Sequence, residues 1–236
     1  MLASSRSRDT SSGFTIVDDP TWISGDFEVI TTDQVRFRVN THLLFGASKA
    51  LMAAAECRTG AKTIEFVGET DTAPVLRAFL ALVSNGQVDL NPSLAGVRDL
   101  ALFLHKWDCP AHIAHLLRAV QIGVLRGSVR GLAAFLLAGA VDDADTATVA
   151  LAAPPQRWGD DGRVGGVLGR DCLDPRGWPP AVQREWHDFG SPTFGRALIC
   201  AFEDTGGDRP RLASKFAEYL AANRALDECW GDRGGV

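Results

Sequence analysis

Four side chains of the types that bind zinc are concentrated in one short stretch of the sequence. They are His105, Cys109, His112 and His115, separated by four, three and three residues. Such spacings place side chains on one face of a helix, and imidazole with thiolate is a ligand set that suits zinc. Pro110 interrupts any helix that would run from His105 to His112. We therefore interpret the four as ordinary residues of two helices and predict no metal and no cofactor.

A second candidate for chemistry is the glycine-rich segment Gly162–Gly169. Phosphate-binding loops of this composition lie between a strand and a helix, and the P-loop ends in Lys followed by Ser or Thr. The sequence around this segment predicts neither a preceding strand with a following helix nor a Lys-Ser or Lys-Thr ending. Ser191 lacks the G-x-S-x-G pattern of a nucleophile elbow, and Cys200 lies in an apolar helical stretch typical of an inert thiol. We predict no catalytic residues, although an enzyme or small-molecule binder with a site between the two halves of the chain, near Gly162–Gly169, remains an alternative.

Composition sets further limits on function. The formal net charge of −5, with Lys and Arg dispersed along the chain, argues against direct nucleic-acid binding. The five cysteines are odd in number and widely spaced, which favours reduced thiols over a disulfide framework. The longest apolar run, residues 132–141, is too short to span a membrane, and no secretory signal is evident. We expect a cytoplasmic or nuclear protein that contacts no membrane.

The elements that must position any functional residue follow from hydrophobic periodicity. Residues 27–31 and 35–39 alternate like the two strands of a hairpin, a helical stretch covers 43–56, and a third strand covers 63–67. Helices are predicted over 74–84, 94–106 and 110–125, and again over 132–140, 145–152, 194–203 and 212–228. This order predicts an α+β fold, with a small sheet packed on helices followed by a mainly α-helical C-terminal region.

The first half of the chain resembles a BTB/POZ domain of the fungal type. The resemblance covers roughly residues 23–123 and rests on five motifs in the family's order: Asp26-Phe27-Glu28-Val29, Phe37-Arg38-Val39, Thr63-Ile64-Glu65-Phe66, Asn85-Gly86-Gln87-Val88-Asp89-Leu90 and Lys106-Trp107-Asp108-Cys109-Pro110. The resemblance implies a non-enzymatic protein–protein interaction module that acts as an adaptor or by self-association, with a homodimer among the expected arrangements.

The same resemblance implies an alternative role as a cullin-ligase substrate adaptor. Family members of that kind use an apolar-x-Glu signature, and the nearest match here is Ala54-Ala55-Glu56. The partner-binding candidates are Leu51, Met52 and Glu56. Because Ala54 is a poor anchor, we expect cullin binding to be weak or absent.

These observations give a provisional division of the chain. We predict a disordered or loosely attached segment over 1–22, a BTB/POZ-like domain over 23–126, a helical extension over 127–230 and a flexible tail over 231–236. A Gly/Pro-rich loop is expected over 153–180 within the extension. Trp158, Trp178, Trp186 and Trp230 fall in the extension, where they either pin irregular segments onto helices or form a partner surface. We favour the pinning role.

Overall fold

The computed structural model describes residues 15–57, 62–88, 90, 94–154, 176, 180–189 and 191–231. Over these residues the chain is α+β, as predicted, with a small mixed sheet and a larger helical part. The strands are β1 (Val17–Ile23), β2 (Phe27–Ile30), β3 (Val35–Val39) and β4 (Thr63–Glu65). They lie side by side in the order β1-β3-β2-β4.

The predicted hairpin of β2 and β3 forms the centre of this sheet. The two strands are antiparallel, with Phe27 opposite Val39 and Val29 opposite Phe37. All four side chains are buried, because alternate residues of a strand point to the same face. β4 runs parallel to β2, an arrangement that requires a crossover connection between them.

The crossover consists of two helices, α1 (Thr41–Ala47) and α2 (Lys49–Glu56), which divide the helical stretch predicted over 43–56 at Ser48. The break falls at Ser48, whose backbone is extended with φ −149°. Its hydroxyl oxygen accepts a hydrogen bond from the Leu51 amide at 3.0 Å and so caps α2. Ser is favoured at the N-cap because its side-chain oxygen accepts a hydrogen bond from an amide that has no partner within the helix.

The expectation that residues 1–22 are loosely attached was wrong for residues 17–22, which belong to β1. This strand pairs in parallel with β3, with Val17 opposite Val35 and Ile23 opposite Arg38. The register shifts between Asp18 and Ile23, which accommodates Pro20 in the strand. The alternating pattern that normally indicates a strand is therefore interrupted here.

Three helices complete the part of the chain that resembles a BTB/POZ domain: α3 (Ala73–Asn85), α4 (Leu94–Lys106) and α5 (Pro110–Arg126). α3 and α5 carry Pro in the first turn, where the missing N–H costs nothing. They end at Gly86 (φ 67°) and Gly127 (φ 79°), in the left-handed conformation that favours glycine. All three helices agree with the predicted ranges to within one or two residues.

The remaining helices are α6 (Gly131–Ala140), α7 (Ala144–Ala152), α8 (Pro180–Phe189), α9 (Pro192–Thr205) and α10 (Arg209–Gly231). α6 is apolar on all sides and most of its residues are buried, which makes it the central helix of this half. A single hydrophobic core runs from the sheet through α5 and α6 to α10, and it crosses the boundary that we predicted at residue 126.

α8 was not predicted from the sequence. Trp186 holds it in place by stacking on Phe135 of α6, with ring centroids 5.6 Å apart and planes inclined by 13°. The indole also lies against Gly139 of α6 and Gly195 of α9. The pinning role therefore holds for Trp186, whereas the side chains of the other three C-terminal tryptophans lie outside the described residues.

Several predictions concern residues outside the described ranges. They include Gly162–Gly169, most of the loop predicted over 153–180, and the tail over 231–236 apart from Gly231, which ends α10. Among the helices that the structure describes, none combines the length and the apolar composition needed to cross a bilayer.

Candidate protein interface

The outer strand of the sheet presents the largest group of exposed apolar side chains in the described part of the chain. Ile16, Val17 and Ile23 are 41%, 59% and 59% exposed, respectively. They lie on β1 or directly before it, and β1 is a terminal strand of the sheet. We call this surface the β1 edge and define it by these three residues. A terminal strand with exposed apolar side chains is a surface on which another polypeptide can dock.

A buried carboxylate fixes β1 to the rest of the fold. Asp19 is fully buried, and its Oδ1 accepts hydrogen bonds from the backbone amides of Thr21 and Trp22 at 2.9 and 3.0 Å. Its Oδ2 accepts a hydrogen bond from Arg77 Nε of α3 at 2.6 Å. Burial alone would raise the pKa of Asp19, but these three hydrogen bonds together lower it below the usual value. The β1 edge is therefore a supported surface.

The broad face of the sheet is neutralised by cross-strand ion pairs. Arg36 of β3 pairs with Asp18 of β1 at 2.6 Å, and Arg38 of β3 pairs with Glu28 of β2 at 3.2 Å. The hydrogen bond from Arg36 lowers the pKa of the Asp18 carboxyl. These two ion pairs balance four charges on β1, β2 and β3, whereas the β1 edge is apolar and exposed.

Proline and a register shift limit how a partner can pair with β1. Pro20 has no amide to donate, and the amides of the next two residues already bind Asp19. Natural sheets use prolines and irregularities of this kind to prevent unlimited strand addition at their edges. The β1 edge is therefore suited to a specific partner more than to open-ended aggregation.

The partner-binding candidates from the sequence lie on α2, and the structure separates them. Leu51 is 1% exposed and belongs to the core, so it offers no surface to a partner. Met52 is 37% exposed and Glu56 is exposed as well. The helical pattern could not distinguish these orientations, because the break at Ser48 resets the face that α2 buries.

The zinc-type residues are distributed between two helices and the junction that joins them. His105 and His115 are exposed on α4 and α5, whereas Cys109 is buried at the start of α5. Burial raises the pKa of the Cys109 thiol to about 11, so it is neutral at physiological pH. His112 is half-buried, and burial followed by the nearby charge of His115 lowers its pKa. Within the described ranges, no three His, Cys, Asp or Glu side chains come together in a way that could hold a metal ion.

The motif Lys106-Trp107-Asp108-Cys109-Pro110 has a structural role at this junction. Lys106 Nζ donates to Oδ2 of the buried Asp71 at 2.5 Å and lies 5.1 Å from the centre of the Trp107 ring. The Trp107 carbonyl accepts a hydrogen bond from the Ser48 hydroxyl, which ties the end of α4 to the start of α2. Asp108 adopts a positive φ of 49° before α5 begins. These contacts explain the residue types without assigning them any chemistry.

Comparison of the sequence with known proteins gave no further information on this surface. No protein-family model matches the chain, and no curated protein matches it either.

The β1 edge was missed by the sequence analysis. The segment preceding residue 23 contains Pro20 and two acidic residues, so the expected alternation of a strand is absent. The available signal was Val17 together with Trp22-Ile23, which are strong strand formers flanking an Asp-Pro pair. This signal alone does not predict a strand, because the buried Asp19 is paired with Arg77, which lies 58 residues further along the chain.

Proposed function

We propose that this protein is a non-enzymatic protein–protein interaction module that uses the β1 edge to bind a partner polypeptide or a second copy of the chain. The observation that carries the proposal is the exposure of Ile16, Val17 and Ile23, on or directly before a terminal strand that Asp19 links to α3 through Arg77. Exposed apolar side chains along a sheet edge provide apolar area that a partner can bury.

The resemblance of the first half to BTB/POZ domains points in the same direction, because such domains act as adaptors or associate with one another. The observed order of elements is compatible with that resemblance: a hairpin, two short helices, a strand parallel to β2 and three further helices. We propose the adaptor or self-association role on both grounds.

The test compares the full chain with a double variant, Val17→Lys with Ile23→Lys. Both side chains are 59% exposed, so these substitutions change the surface without opening the core. Each protein serves as bait for affinity capture from its native cell, and each is also measured by sedimentation velocity over a range of concentrations. We expect the wild-type chain to self-associate or to retain a partner, and the double variant to lose that association.

The matched control is Val67→Lys. Val67 is 89% exposed and follows β4, which lies at the opposite end of the sheet from β1. The control should behave like the wild-type chain. A wild-type chain that stays monomeric and retains no protein would refute the proposal, and so would equal association by the wild-type chain and the double variant.

A second candidate function, cullin-ligase substrate adaptor, is favoured only by the exposure of Met52 and Glu56 on α2. We expect weak or absent binding in a pull-down with a cullin N-terminal domain, because Leu51 is buried and Ala54 is a poor apolar anchor. Strong binding that is lost in Glu56→Ala would favour the adaptor function over our expectation.

A further inference from the structure

We draw no further inference here: the strongest candidate, the apolar groove where the C-terminal end of α5 meets the end of α7 beside Val124, Leu125 and Val149, carries none because nothing in the structure shows what covers it.

Discussion

The attachment of β1 through Asp19 gives the sharpest quantitative prediction. Asp19→Ala removes the acceptor for the Thr21 and Trp22 amides and for Arg77. A buried donor that loses its partner costs roughly 1–3 kcal/mol. We use the lower end for each amide because Thr21 is exposed and Trp22 is half-buried. The Arg77 side chain is 43% exposed, so its ion pair adds little. The expected loss of unfolding free energy is about 2–3 kcal/mol.

The neighbouring residue supplies the control for this prediction. Asp18 forms an ion pair of the same length, 2.6 Å, but it is exposed and accepts its hydrogen bond from Arg36 on the surface. Asp18→Ala should therefore leave stability close to that of the wild-type chain. Urea unfolding followed by tryptophan fluorescence measures both variants, and hydrogen exchange reports whether β1 opens locally. Equal stability of the two variants would refute the role assigned to Asp19.

The same carboxylate predicts a pH dependence. Since the pKa of Asp19 is lower in the folded chain than in the unfolded chain, its ionised form stabilises the fold at neutral pH. This contribution is present above the unfolded pKa of about 3.9 and is lost as the pH falls through the folded pKa. Asp19→Asn cannot titrate, so the stability difference between it and the wild-type chain should shrink below about pH 4. A difference that stays constant down to pH 2 would contradict this assignment.

Two further predictions concern packing and thiol chemistry. A Cβ at Gly195 would lie 3.2 Å from Trp186 Nε1, so Gly195→Ala should be less stable than Gly46→Ala by about 1–3 kcal/mol in thermal or urea unfolding, since both substitutions gain the same helix propensity. Gly46→Ala in α1 meets no atom within 4 Å and should be neutral or stabilising; equal losses in the two variants would argue against the packing explanation. At pH 7.5, mass spectrometry of chain treated with iodoacetamide should show the exposed Cys57 modified and Cys109 protected, because burial raises the pKa of Cys109 to about 11. Equal labelling of the two thiols in the folded chain would contradict the buried position of Cys109.

Much of the fold was predictable because its signals are local. The alternation over residues 35–39 indicated β3, and Pro74 with Gly86 marked the limits of α3. The helices α4 and α5 followed from apolar positions at helical spacing and the proline between them. Each of these features is contained within a single element, so no knowledge of distant contacts was required.

The features missed by the sequence analysis depend on contacts between distant parts of the chain. Asp19 reaches α3 through Arg77, which lies 58 residues further along the chain, and the Ser48 hydroxyl at the end of α1 donates a hydrogen bond to the Trp107 carbonyl after α4. Leu51 appeared as suitable for an exposed site as Met52 until the break at Ser48 fixed the orientation of α2. The candidate interface is thus a product of tertiary structure, whereas the zinc-type spacing is a local pattern that the described residues do not assemble into a metal-binding group.

The most direct measurement of the central claim places a photo-activated crosslinking amino acid at position 23 of the β1 edge and, in a second protein, at position 67 near β4. Both positions are exposed, at 59% and 89%, and they lie toward opposite ends of the sheet. We predict that irradiation in the native cell yields a protein adduct, or a crosslinked dimer, from position 23 and not from position 67. Crosslinks from position 67 alone, or none from position 23, would contradict it.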